Sequence, residues 1–519
     1  MLIRTFKKSA SKALIALSMS FAVISATVPA YAIDIVLATP EEMQGTDVQQ
    51  INWEYLPHEL IYEPLFHLDP STNAFVPATA SAWEINDKNE LVFTVPSDGR
   101  KFSNGAPLTP EAVKASFERY LKISPYADDL AAVESIRVEG DNVIFACNSS
   151  PVPAMVSIST GYGGIVDVAD AAEKGDEAAK SDIATFGPFK VDEWVQGSHL
   201  RIVPNENFKT FNPMVKNKGP LGIDSVTVRF IPDNFTRIKE LQAGDVDIIY
   251  NVPGENVEAL KKDANVELIT KLQTGADLLY IQPEAKGLTD LNVRLAVLRA
   301  IDRKELIAAL AGTAEERYGI LSPTMIGFSK EFEDEAAENY SYDQAEAARL
   351  LDEAGYKTGS DGIRAKGDEK LDFSFLVPFD MPTLKKMAPV IQAQLKKVGI
   401  NLNIREFEDQ YVKQTARDRK NEISMRHYSW PDGDMLTWIA HTDSGYFNYD
   451  DIDKLIEAGR ENPDPEVRAK AYALAERAIM EKGIVVPLVS NMEYTAYRKE
   501  LKGVVITPLF TFLNDAARD

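Results

Sequence analysis

Residues 371–407 read LDFSFLVPFDMPTLKKMAPVIQAQLKKVGINLNIREF, and no other stretch narrows the choice of fold as far. LDFSFLVP has the continuous apolar character of a buried strand, and INLNIREF alternates as a half-buried strand does. Between them TLKKMAPVIQAQLKKVG is helical and closes at Gly399, a residue suited to the left-handed turn that ends a helix. Strand, helix and strand in that order predict a β-α-β unit with a parallel pair, which places the chain among mixed α/β folds. Similar punctuation continues on both sides. LNVRLAVLRAIDRKELIAALAG reads as two helices, the second capped by Asp302 and ended by Gly312. YDQAEAARLLDEAGY is a capped helix closed by Gly355, PEVRAKAYALAERAIMEKG is helical, and IVVPLVS reads as a buried strand.

Before about residue 285 the character differs. IDIVLAT is a short buried strand, and NWEYLPHELIY reads as a helix that Pro64 interrupts. SAWEIND and ELVFTVP form a hairpin across Lys88-Asn89, and a short strand is expected around Phe102. Thr109 caps a helix with Pro110 in its first position, its face carrying Val113, Phe117, Tyr120 and Leu121. Residues 151–180 are small and polar, and STGYGGIVD, which lacks the G-x-G-x-x-G spacing, reads as a plain loop. Two strands then meet at Gln196-Gly197, IDSVTVRFIP is a further strand, and a helix capped by Asn234 ends at Gly244 before DVDIIYNVP. A chain of 519 residues exceeds one core, so two or three lobes are expected.

The first 32 residues stand apart. Arg4, Lys7, Lys8 and Lys12 precede the apolar run ALIALSMSFAVISATVPA, and Ala30-Tyr31-Ala32 supplies a peptidase site. That is a secretory signal peptide cleaved after Ala32; the run is short for a transmembrane anchor. Cleavage removes four of the 56 Lys and Arg, and against 79 Asp and Glu the formal balance moves from −23 to −27. So acidic a chain does not suit nucleic-acid phosphates or anionic membranes, although high charge also serves solubility. Cys147 is the single cysteine, so an intrachain disulfide is excluded, and it reads as a buried small residue. The five histidines lack H-x-x-x-H spacing.

Six stretches in register resemble one family: YEPLFHLDPSTNAFVPATASAWEINDKNELVFTVPSDGRKFSNGAPLTPEAVKASFERYL, FGPFKVDEWVQGSHLRIVPNENF, LQAGDVDIIYNVP, VRLAVLRAIDRKELI, YDQAEAARLLDEAGY and VVPLVSNMEYTAYRKELKGV. They are similar to the extracytoplasmic solute-binding proteins, family 5, the peptide/nickel-type subunits of ABC importers, over essentially the whole mature chain. The resemblance implies a type II, cluster C periplasmic binding fold, with two main lobes around a cleft plus an inserted subdomain. Lobe I would combine 33–66, 185–285 and 488–519, the subdomain would span 67–184, and lobe II 286–487. It further implies a periplasmic monomer that buries a peptide-like solute between the lobes and docks on permease transmembrane subunits. No cofactor, resident metal or membrane insertion is implied.

Candidate ligand contacts centre on SWPDGD, residues 429–434. Peptide-binding members carry W-x-x-D-Y, whose aspartate pairs with a free amine; here Pro431 shortens the spacing between Trp430 and Asp432, and no tyrosine follows. The expected contacts are Asp432 or Asp434 on a cationic group, with Trp430 and Tyr428 as walls. Equally, Asp432 stabilises the Pro-Asp-Gly turn and Asp434 caps the helix of MLTWIAH. Catalysis finds little support, since no Ser–His–Asp set, H-E-x-x-H or P-loop is present. Nickel-type relatives hold a metal chelate, for which His427 and His441 flank the loop. Met43, in the loop after the first strand, and Thr274 and Gly275, near the hinge, complete the ligand-contact set. Arg405, Arg417 and Arg426 are candidates for a solute carboxylate. A chemosensory binding protein with the same fold is the alternative to an importer subunit.

Overall fold

The computed structural model describes residues 33–519 apart from 53, 176, 178 and 179. The signal segment and its cleavage point lie outside the described residues. The main sheet has twelve strands: β1 (Ile33–Thr39), β2 (Phe189–Val195), β3 (His199–Pro204), β4 (Ile223–Phe230), β5 (Ile248–Ile249), β6 (Val266–Leu272), β7 (Gly275–Ile281), β8 (Ala314–Glu316), β9 (Asp372–Pro378), β10 (Asn401–Phe407), β11 (Ile423–Ser429) and β12 (Val485–Arg498). Their order is β10-β9-β11-β7-β12-β5-β1-β4-β3-β2, with β6 and β8 also pairing with β12. The helices that frame the site are α1 (Leu56–Ile61), α2 (Pro110–Ile123), α3 (Pro382–Lys397), α4 (Met435–Ala440), α5 (Asp450–Arg460) and α6 (Pro465–Glu481).

The β-α-β reading holds. β9 and β10 run parallel from Asp372↔Asn401 to Pro378↔Phe407, with α3 between them in the chain. β1 is parallel to both β4 and β5, and Ile35, Leu37 and Ala38 are wholly buried. A strand covered on both faces needs such an apolar run.

Apolar residues gather in distinct cores on either side of the sheet's middle. One runs without a break from Ile35 and Leu37 to Phe93, Phe117 and Phe145, so the four strands of residues 82–147 share the core of β1 and β4. Others pack β7, β9, β10 and β11 against α3, and Tyr280, Tyr428 and Tyr472 against α4, α5 and α6.

Several local expectations change. Phe102 lies in a turn flanked by an isolated Lys101↔Pro107 bridge rather than in a strand. STGYGGIVD is irregular apart from a 3-10 turn at Gly161–Gly163, and within the small, polar stretch of 151–180 it is flanked by helices Val152–Ile158 and Val168–Lys174. Pro153 sits in the first turn of the one, where a missing N–H costs nothing, and Asp167 caps the other at Ala169 N. Asp233, not Asn234, caps its helix, accepting from Thr236 N at 2.8 Å. NWEYLPHELIY is helical over α1 only, and Cys147 is half-buried.

Candidate functional site

Two segments connect the halves of the sheet. β12 is the longer: its residues 485–489 pair with β7, and its residues 492–498 pair with β6. The other is β6–β7, interrupted by Gln273 and Thr274. Gln273 N donates to Asn491 O at 3.0 Å, and its carbonyl accepts from Thr324 Oγ1 at 3.0 Å. Thr274 O accepts from Trp430 N at 2.9 Å and Ser429 Oγ at 3.0 Å. The crossing thus seats the SWPDGD loop.

That loop is built around an internal ion pair. Asp432 is wholly buried, and Arg468 of α6 grips it in a fork, with Nη2 on Oδ1 at 2.6 Å and Nη1 on Oδ2 at 2.7 Å. Asp434 N adds a third bond to Oδ1 at 2.7 Å. Arg468 also donates to Gly459 O at 2.9 Å and the Tyr472 hydroxyl at 3.0 Å. A carboxylate so buried needs its charge matched, and a bidentate guanidinium is the strong way to match it. Asp432 is therefore a cornerstone of the loop, and its expected solute contact gives way to Arg468.

Asp434 sits at the N-terminus of α4, accepts from Thr437 Oγ1 at 2.9 Å, and lies 3.2 Å from Arg460 Nε. Burial pushes its pKa up and Arg460 opposes. Asp129, on the 3-10 turn Ala127–Leu130, faces the same pair: burial lifts its pKa to about 6, the Ser157 hydroxyl opposes, and Asp434's charge adds to the rise.

Among the other expected contacts, Trp430 is half-buried and meets Trp438 edge-on at 5.1 Å, with Trp438 36% exposed. Tyr428 and Met43 are core residues instead: Tyr428 bonds the Tyr446 hydroxyl at 3.2 Å, and Met43 is 2% exposed among Val48 and Ile51. An apolar side chain gains more from that packing than from a cleft wall. Thr274 and Gly275 are buried in the crossing. Arg405 and Arg417 are exposed, while Arg426 is buried over the Tyr428 ring. His441 accepts from Asp443 N at 3.1 Å.

His427 Nδ1 lies 2.7 Å from Asp277, whose other oxygen takes the Asn491 amide at 2.8 Å. Burial works against protonation of the ring, yet Asp277 more than offsets it and the His427 pKa rises above 6.5. A raised native pKa stabilises the fold fully below the unfolded value and loses that contribution as pH climbs through the native one. Wild-type protein should therefore lose its melting-temperature advantage over His427→Gln as pH rises beyond 6.5, measured in matched buffers.

Beside the crossing, at Lys271 and Glu493, a cavity of about 240 Å³ opens. Glu41 reaches it from the end of β1, Glu54 and Glu59 from α1 and its approach, Lys271 from β6 and Glu493 from β12. His58 fixes the start of α1. Its Nδ1 accepts from Tyr55 N at 3.0 Å, and its Nε2 donates to Gly45 O at 2.8 Å. Burial drives the His58 pKa down to about 4, so the ring stays neutral in these roles. Lys271 Nζ reaches Thr507 O at 3.1 Å and Glu493 at 3.4 Å. Burial raises the Glu54 pKa to about 8, with Glu59 adding to it. Burial raises Glu59 to about 7, against Lys271 and Thr511. Sequence reasoning reached this neighbourhood through the loop after β1 but missed Glu54, Glu59, Lys271 and Glu493, which lie far apart in the chain.

A mixed α/β protein whose two lobes meet at a double crossing, with a polar cavity beside it, has the type II two-lobe binding fold. The chain belongs to the bacterial extracellular solute-binding proteins, family 5, whose middle region matches residues 74–448. It is 24% identical to the dipeptide-binding protein of Escherichia coli (strain K12) over 487 residues, covering 86% of this chain and 87% of that one. It is also 24% identical to heme-binding protein A of Haemophilus influenzae over 493 residues, covering 86% and 85%. NikA from Brucella suis in complex with Fe(III)-EDTA superposes with a TM-score of 0.78 at 20% identity, covering 94% of this chain and 100% of that one. The dipeptide-binding protein from Pseudoalteromonas sp. SM9913 in complex with Met-Leu gives 0.73 at 19% identity, covering 94% and 100%. No described helix is long and apolar enough to cross a membrane.

Proposed function

We propose that this chain, cleaved after Ala32, is the periplasmic receptor of an ABC importer, capturing a peptide-like or other small polar solute between its lobes. The observation that carries the reading is the cavity beside the β6–β7 and β12 crossing, with the Trp430–Trp438 pair on the opposite lobe. A solute that touches both lobes favours the closed state by its differential affinity for that state, and the permease reads the closed state. The chain acts as a monomer and leaves the solute unaltered. The hinge of this reading lies at Gln273–Thr274 and Asn491–Met492 in place of the 285/286 and 487/488 boundaries expected from the sequence, because β7 pairs with β11 and residues 489–491 pair with β8. The peptide reading draws support from relatives named for dipeptides and from the Met-Leu complex.

Calorimetric titration with dipeptides, tripeptides and a nickel–histidine chelate tests this, alongside solution scattering. The expected result is micromolar or tighter binding of a peptide, compaction on binding, and recovery of the peptide intact. Trp430→Ala should weaken that binding about tenfold, the scale of one lost aromatic contact of ~1.4 kcal/mol. Binding of the chelate alone, or a hydrolysed peptide, would overturn the reading.

A further inference from the structure

The cavity beside the crossing carries a charge imbalance that its own residues do not resolve. Four carboxyl groups line it, those of Glu41, Glu54, Glu59 and Glu493, with Lys271 as the cation among the lining residues. Lys271 is already engaged by Glu493 and the Thr507 carbonyl. Glu54 accepts from Gly161 N at 3.2 Å through Oε2, while its Oε1, packed toward Gly161, has no hydrogen-bond partner among the described residues. Leaving a buried acceptor unmade costs the full desolvation of that group, so a small turn of the Glu54 carboxyl toward a donor in the cavity would be favoured. The Tyr55 and Tyr250 side chains stand among the acids, the latter bonded through its hydroxyl to Thr511 at 3.2 Å. Aromatic faces beside carboxylates attract a flat cation. The cavity of about 240 Å³ has the volume of about eight waters at roughly 30 Å³ each, room for a planar cation and part of its alkyl stem.

Resting on the solute-binding reading above, we propose that this cavity is the subsite for a guanidinium group of the solute, held by Glu54 and Glu59. A guanidinium fits better than an ammonium. Its rigid fork of donors serves two carboxylates at once, its plane stacks on tyrosine, and it is the more weakly hydrated of the two cations. Burial raises the pKa of Glu54 to about 8 and of Glu59 to about 7, so both hold protons near neutral pH. Entry of the guanidinium ionises them, and the released protons pass to the buffer.

The test is titration calorimetry at pH 7 with Ala-Arg and Arg-Ala, their citrulline counterparts, which replace the guanidinium with a neutral urea of the same shape, and agmatine. Binding is expected to favour arginine over citrulline at least tenfold and to release protons, seen as a heat that varies with buffer ionisation enthalpy. Glu59→Gln and Glu54→Gln should each abolish most of that preference while keeping the wild-type melting temperature at pH 6. Equal affinity for arginine and citrulline peptides would overturn the inference and leave the peptide reading standing. Agmatine binding without peptide binding would support the guanidinium subsite and overturn the peptide reading. Failure of every probe would overturn both. A preference for arginine that survives both glutamine variants would place the cation elsewhere and overturn the inference.

Discussion

Replacing Arg468 with leucine is expected to lower the stability of the protein by about 3–5 kcal/mol, the cost of stranding a buried charge whose partner is removed. Asp432 has no exposed surface, and Arg468 supplies two of the three bonds to its oxygens. Leucine fills much of the volume but offers no donor, so the carboxylate must take up a proton or draw water into the loop. The damage spreads through Tyr472, whose ring bonds Arg468 through its hydroxyl and packs where Cβ atoms added at Gly327, Gly433 or Gly459 would come within 2.5 Å. Urea unfolding followed by tryptophan fluorescence reads the effect, since Trp430 and Trp438 flank the loop. The double variant Asp432→Asn/Arg468→Leu should recover a large part of the loss, and the cycle of four proteins gives the coupling. An unchanged midpoint for Arg468→Leu would mean that Asp432 is held by something other than the pair described.

Gly275→Ala should damage folding and capture together. A Cβ at Gly275 would lie 2.2 Å from the carbonyl oxygen of Tyr428 and 3.0 Å from the Ser429 Cα, both backbone atoms that have no rotamer to yield. The end of β11 must move away, at a cost of roughly 1–3 kcal/mol for overpacking at a tight contact. That movement pulls on Trp430, whose N–H is held by Thr274 O one residue from the substitution. Solute affinity is expected to fall about tenfold or more, equivalent to ~1.4 kcal/mol, measured by calorimetry on the folded variant. Loss of stability with unaltered affinity would show that the loop plays no part in capture.

The fold was legible where local chemistry decides it. The parallel β9–α3–β10 unit, the hairpin at Lys88-Asn89, and the Thr109 and Asp302 caps follow from residues only a few positions apart. β12 was read only as far as Ser490, because Asn491 and Glu493 break its apolar run; the strand turns polar where it passes between the lobes. Arg468 looked like one charge among many on an amphipathic helix, and nothing nearby in the chain announces that Asp432, 36 positions earlier, lies against it. The acidic cavity was hidden for the same reason. Its walls come from positions 39 to 511, and only the folded sheet brings them together.

The shared strand has a mechanical consequence. β12 is stitched to β7 and β8 at one end and to β6 and β5 at the other, so neither half can slide along it without breaking a ladder of backbone bonds. What remains is rotation about an axis lying across the strands near Gln273 and Asn491. Opening is then a single angular coordinate, and fluorophore pairs placed on different faces of the two lobes should report changes that one angle describes.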